Sequence, residues 1–370
     1  MSSRVLLVGA FGQANPGDDA LGEVFCSALA DHEVVLASDD PAASASRHGT
    51  RTIAASALPA ARAVREVDAV VVGGGTVFKT LHRSTGRSPT ALLRNAAALI
   101  AGARATGKRV AMVGVGAGEL QRRSARAMSR WIVPQVDLLI LRDEESAAVL
   151  ADVGAPAPFW IGADPTWALP AVDASRWRTN RGTRSITVAI SHLAGDPEQM
   201  GGFAHALTQW CEDWTVRLQP WQENDVETAH RLRALLGGAA EVLARPADLA
   251  EATSVFAADE LVVGLRFHSL VAAARAGTRF LAVAHEPKLV GLARRLGQVS
   301  VPQHATGDVF AGAIAHALRH GPPPPSAVEA EVRNARRSLE LLRLLVDDGA
   351  DDAALRDLAG LPVSDGDGTW

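Results

Sequence analysis

A rhythm dominates this sequence. Short apolar runs, each closed by Gly or a polar turn, alternate with Ala- and Leu-rich stretches. Val5–Val8, Val34–Ala37, Ala69–Val72, Val110–Val113 and Leu138–Leu141 are such runs, and Thr90–Ala105 is one of the stretches between them. An unbroken apolar run of about four residues is a strand buried on both faces, as in a parallel sheet covered by helices. The rhythm lapses after Pro165, and the polar residues 171–184 read as a linker. It resumes with Ile186–Ser191, Thr215–Leu218, Glu241–Leu243, Leu261–Val263 and Phe280–Val283, and helices are expected over 198–211, 225–236, 247–257, 267–276 and 288–296. The fold class is therefore α/β, in two halves that are each an open sheet. The expected domains are 1–175 and 183–322, followed by a helix within 323–347 (Ala327–Leu345) and a frayed acidic tail over 348–370. Open α/β sheets bind ligands beyond the carboxyl ends of their strands, so the site is expected in a cleft between the halves.

Length and composition agree with two domains. The chain has 370 residues, 48% of them apolar and 21% charged, enough to bury a sizeable core. A net charge of −4 gives no reason to expect a nucleic-acid partner, although a pocket on such a protein can still be basic. Cys26 and Cys211 are the only cysteines, so neither a disulfide framework nor a Cys-based metal site is expected, and a reducing cytoplasm fits. No uncharged apolar stretch of about 18 residues is present, so no transmembrane segment is expected.

Five loops carry candidate chemistry, each just after an apolar run. The first is Gly9-Ala-Phe-Gly-Gln-Ala-Asn-Pro-Gly-Asp-Asp19, with Gly12 and Asn15 in the loop and a helix expected to begin near Asp18. Asp18 and Asp19 there are either helix caps or ligand and proton-transfer groups. The spacing is not Gly-x-Gly-x-x-Gly, so no nicotinamide cofactor is expected, nor any other cofactor. The second loop holds Gly74 and Gly75 within Gly73–Lys79, and the third holds Gly116 within Gly114–Gly118; each is a tight turn or a backbone that touches ligand. In the fourth, Arg142 leaves a strand towards an anion and Asp143 begins a helix as its cap.

The fifth, Val263-Gly-Leu-Arg-Phe-His-Ser-Leu270, is the most informative. Arg266, His268 and Ser269 fall at the first turn of an Ala-rich helix, where positive charge, an imidazole and helix N–H groups converge. One strand later, Ala284-His-Glu-Pro-Lys288 places Lys288 in another first turn as a further anion contact. Trp160 and Trp167 read as interdomain packing ahead of sugar stacking. No His/Asp cluster has metal-ligand spacing.

Taken together these motifs resemble the polysaccharide pyruvyl transferase family over most of residues 4–297. The resemblance rests on Gly9-Ala-Phe-Gly, Asn15-Pro-Gly-Asp-Asp19, Gly73–Gly75, Gly114–Gly118, Leu141–Ser146, Ala163-Asp-Pro165, Pro220 with Asp225, Gly264–His268 and Glu286-Pro-Lys288. It departs from the family pattern at His285, in the third loop Val113-Gly-Val-Gly-Ala-Gly118, which lacks the usual Gln and Pro, and at Ser191-His-Leu193 after the first strand of the second half. The resemblance implies two Rossmann-like domains of the glycosyltransferase B type. It implies phosphoenolpyruvate as donor, bound mainly by the second half, and a sugar or lipid-linked glycan as acceptor, on the first. It associates Arg266 and His268 with the donor site. It implies a cytoplasmic enzyme, with room for peripheral contact with a membrane and for a homo-oligomer. On this view His268 transfers a proton, Asp18 or Asp19 activates the sugar hydroxyl, and Arg266, Lys288 and Arg142 hold the donor's charges. The competing expectations are a nucleotide-sugar-dependent glycosyltransferase or epimerase of the same fold, and a glycan-binding protein without turnover.

Overall fold

The computed structural model describes residues 2–81, 86–156, 158–172, 184–348 and 363–364. They fall into two compact units. The first comprises the described residues of 1–13, 18–169 and 331–370; the second comprises Ala14–Gly17 and the described residues of 170–330. The expected linker and acidic tail lie largely outside the described residues.

The first unit is built on a nine-stranded sheet of β1 (Arg4–Val8), β2 (Glu33–Ser38), β3 (Arg51–Ala54), β4 (Ala69–Gly73), β5 (Thr76–Phe78), β6 (Arg109–Ala117), β7 (Leu138–Leu141), β8 (Phe159–Ile161) and β15 (Val363–Ser364). Its order is β15-β8-β7-β6-β4-β1-β2-β3, with β5 beside β6, and every pairing is parallel except that of β15 with β8. The central strands are buried along their length, which is why they show as unbroken apolar runs. One face of the sheet packs on the helix Pro325–Asp348, whose Leu341, Leu342 and Val346 are fully buried. Each such side chain contributes about 1.5–3 kcal/mol on burial. The helix was expected as a separate element after residue 323; from Glu331 onward it belongs to the first unit. Trp160 lies in this same core, so the interdomain packing expected of it gives way to packing within one unit.

The second unit carries β9 (Ser185–Ile190), β10 (Thr215–Pro220), β11 (Glu241–Val242), β12 (Leu261–Gly264), β13 (Phe280–Ala284) and β14 (Val299–Pro302). The six-stranded order is β11-β10-β9-β12-β13-β14, wholly parallel in its pairings. Read by first appearance it is 3-2-1-4-5-6, the Rossmann order, and it reverses direction between β9 and β12. The first sheet starts the same way, with its reversal between β1 and β4. The crevice beyond the strand ends at such a reversal is where open α/β sheets take ligands.

Candidate active site

In the second unit, four loops leave the carboxyl ends of β9, β10, β12 and β13. Strand β12 ends at Gly264, and Arg266 is the N-cap of the helix Phe267–Arg275. His268 is 9% exposed, with its ring edge-on to Phe267 at 5.5 Å. The segment Ala14–Gly17 packs here too. Asn15 Oδ1 accepts from Trp221 Nε1 at 3.2 Å, and a Cβ on Gly17 would lie 2.0 Å from His268 Nδ1. Only glycine permits that approach, so Gly17 sets the position of the imidazole.

Arg266 does not present an unengaged fork. Its Nη2 donates to Asp225 Oδ1 at 2.6 Å, while its Nε is buried with no hydrogen-bond partner among the described residues. Asp225 is fully buried and lies in the first turn of the helix Glu223–Leu235 that follows β10. Burial by itself would raise its pKa. The His192 hydrogen bonds and the Arg266 charge outweigh burial and pull the carboxyl down to about 2. Lys288, in the first turn after β13, pairs with Glu286. The cations of this region therefore each carry a carboxylate partner.

Several expectations change on this geometry. Ser269 is fully buried, and its hydroxyl donates to the Arg266 carbonyl at 2.6 Å; it closes the helix's first turn and is corrected from substrate contact to structural residue. The helix expected near Asp18 begins at Pro16, a favoured first helical residue. Asn15 Oδ1 accepts from Gly17 N at 3.2 Å, so Asn15 does the capping, and Asp18 and Asp19 sit inside the first turn. In the first unit, Asp19 is 7% exposed and accepts from Gly12 N at 3.0 Å, with Arg47 at 3.7 Å, so it holds the Gly12 loop.

The glycines of the first unit approach the protein's own atoms. A Cβ would meet Ser38 Oγ at 2.2 Å on Gly12, Leu21 Cδ1 at 2.5 Å on Gly74 and the Arg142 guanidinium at 2.5 Å on Gly116; on Gly75 it would meet nothing within 4 Å. Arg142 has a 3% exposed side chain. It donates to Asp143 and to Thr76 at 3.0 Å each and has Asp164 Oδ2 at 3.9 Å, so an anion reaching it competes with these carboxylates. Asp143 caps the helix Glu144–Asp152 through Ser146 N at 2.7 Å, as expected.

Sequence reasoning did not assign a role to Asp225, His192 or Trp221. An Asp at the third helical position reads as a cap, and it is one: Oδ2 accepts from Gln222 N at 2.8 Å. Its other oxygen accepts from His192 N at 2.7 Å and Arg266 Nη2 at 2.6 Å, and that is visible only when the loops after β9 and β12 are brought beside it. Burial pushes the Cys26 thiol up to about 11, which removes it as a nucleophile at neutral pH. Among the described residues no group of three or more His, Cys, Asp or Glu is arranged to hold a metal ion, and no helix is long and apolar enough to cross a membrane.

Comparison with known proteins bears on the family and the fold. A sequence model of the family described as polysaccharide pyruvyl transferase matches residues 15–287. No curated protein matches the chain in sequence. Among solved structures, the chain is similar to S. aureus MnaA solved with UDP: TM-score 0.65, 10% identity, covering 94% of this chain and 96% of that one. The UDP-GlcNAc 2-epimerase of Neisseria meningitidis bound to UDP-GlcNAc gives TM-score 0.61 at 10% identity, covering 92% and 99%. Anabaena HepE with UDP-glucose gives 0.58 at 13%, covering 91% and 94%. At such identities the likeness is one of fold, the glycosyltransferase B type.

Proposed function

The chain belongs to the polysaccharide pyruvyl transferase family, and on that premise we propose that it moves the enolpyruvyl group of phosphoenolpyruvate onto two hydroxyls of a sugar, forming a pyruvate ketal and releasing phosphate. The acceptor is a sugar unit of a glycan or of a lipid-linked precursor, and the reaction is cytoplasmic. The second unit is the donor side and the first the acceptor side.

One observation carries this reading: Arg266 and His268 open a helix at the carboxyl end of β12, the strand at which the second sheet reverses. Phosphoenolpyruvate is a small, densely charged anion. Helix N–H groups, the Asp225-clamped guanidinium and Lys288 suit its phosphate, which departs bearing the bonding electron pair. His268, held against Gly17, suits delivery of a proton to the donor's methylene carbon, after which the neighbouring carbon takes the sugar oxygen.

The alternative is a nucleotide-sugar-dependent glycosyltransferase or epimerase, motivated by the UDP and UDP-sugar complexes among the similar folds. Fold does not choose between these chemistries. Thermal unfolding does: at a hundredfold excess over its dissociation constant a ligand stabilises by about 2.7 kcal/mol. Phosphoenolpyruvate is expected to raise the midpoint, and uridine and guanosine nucleotide sugars are not. Mass spectrometry of the products formed with methyl hexosides and N-acetylhexosaminides is expected to show pyruvate ketals. A shift with nucleotide sugars alone would transfer the reading to the alternative.

A further inference from the structure

Asp225 collects five hydrogen bonds. Oδ2 accepts from Trp221 N at 3.2 Å and Gln222 N at 2.8 Å; Oδ1 accepts from His192 N at 2.7 Å, His192 Nδ1 at 3.1 Å and Arg266 Nη2 at 2.6 Å. A fully buried carboxylate with this many donors stays ionised at neutral pH, and an ionised carboxylate only accepts. In a neutral His192 ring the nitrogen facing it is therefore the protonated one, with Nδ1–H and the Arg266 guanidinium both donating to Asp225 Oδ1 and the lone pair on Nε2. Asp225 fixes both the tautomer and the orientation. The His192 side chain is 40% exposed in front of a carboxylate that is 0% exposed, so the ring bridges the buried carboxylate and the surface. His192 also follows β9, the strand beside β12 at the sheet's reversal, and its Nδ1 lies 3.2 Å from Arg266 Nη2. The charged groups facing it among the described residues are Asp225, from the helix after β10, and Arg266, from the loop after β12.

We propose that His192, oriented by Asp225, is a second proton-transfer residue, the base that takes the proton of the acceptor hydroxyl. This rests on the pyruvyl-transfer reading above. Two protons must move at different atoms in that reaction, and His268 supplies only the one that goes to carbon. The hydroxyl O–H bond breaks; its proton goes to His192 Nε2 and its electron pair forms the bond to the donor's central carbon. The alkene pair takes a proton from His268, so the methylene becomes a methyl. The bond to phosphate then breaks, the pair leaves on phosphate, and His192 returns its proton to that group. The second hydroxyl closes the ketal and gives its proton to His192, and exchange through water restores His268.

The test is kcat by phosphate release from phosphoenolpyruvate, with methyl hexosides and N-acetylhexosaminides as acceptors, between about pH 5 and 9. His192→Ala and His192→Gln are expected to lower kcat by about 10²–10⁴ and to remove the acid limb of the profile, with the donor dissociation constant within about threefold. Asp225→Asn is expected to disturb the same limb. In the unaltered protein, long-range nitrogen–proton correlation is expected to show His192 protonated at Nδ1. An acid limb that persists in both His192 variants, or a ring protonated at Nε2, overturns this role and leaves the pyruvyl-transfer reading standing. An unaltered protein that releases no phosphate with any acceptor overturns both.

Discussion

Asp225 and Asp259 are both buried carboxylates of the second sheet, each paired with an arginine, and their environments differ sharply. Asp225 lies beyond the strand carboxyl ends, where loops begin helices and backbone N–H groups are plentiful, and its five donors bring it down to about 2. Asp259 sits just before β12, at the amino ends, with Arg217 Nη2 at 2.8 Å. There burial outweighs the arginine and the nearby Thr187 and Ser185 hydroxyls and pushes its pKa up to about 6. Burial and one cation do not settle a carboxyl's charge; the balance between burial and all the charges and donors around it does. The end of the sheet that can hold a permanent negative charge in the dry interior is also the end that can orient a histidine and an arginine around it.

The largest expected effect separates the two ends by turnover. His268→Ala is expected to lower kcat by about 10²–10⁴ with the thermal midpoint retained, while Asp259→Asn leaves kcat within about twofold. A large loss in Asp259→Asn would break the division into a reacting end and a packing end. Next comes stability at neutral pH. Asp225→Ala leaves the Arg266 charge without its buried partner and is expected to cost about 3–5 kcal/mol in urea unfolding.

The pH dependence sharpens the contrast, because the two carboxyls act with opposite sign. The folded value of Asp225, about 2, is below the ordinary aspartate value of 3.8, so its stabilisation is present above about pH 4 and is lost as pH falls towards 2, by about 2 kcal/mol. The folded value of Asp259, about 6, lies above 3.8. Its folded form holds a proton the unfolded chain has lost, so stability falls by up to about 3 kcal/mol as pH rises from 4 to 6. Urea midpoints between about pH 3 and 7 are expected to lose the first slope in Asp225→Asn and the second in Asp259→Asn. The smallest effect is Asn15→Ala, which removes a helix cap and the Trp221 contact and is expected to cost about 1 kcal/mol.

The central strands were legible in the sequence because burial on both faces leaves an unbroken apolar run. The edges were not. β3 (Arg51-Thr-Ile-Ala54) and β14 (Val299-Ser-Val-Pro302) are partly exposed and mixed in character, and β8 is three residues long. Within the site, Arg266 and His268 were legible as chemistry at a helix start, because strand end and helix start adjoin in the chain. The Asp225 cluster was not, since its partners His192 and Arg266 lie 33 and 41 residues away. Gly12, Gly74 and Gly116 were expected at turns or against ligand, and the atoms that approach them are the protein's own, which a glycine does not name.

The discontinuity of the two units bears on how the polypeptide is made. The first unit is not whole until Leu341, Leu342 and Val346 have been synthesised, more than three hundred residues after its first strand. The second unit needs Asn15 and Gly17, translated more than a hundred residues before β9. A fragment cut at the boundary between 170 and 184 would lack, on one side, the helix that covers the first core and, on the other, the tetrapeptide that seats the imidazole. Vectorial synthesis therefore leaves both units incomplete until late, and complementation from two separately expressed fragments is expected to fail unless the division respects those two excursions of the chain.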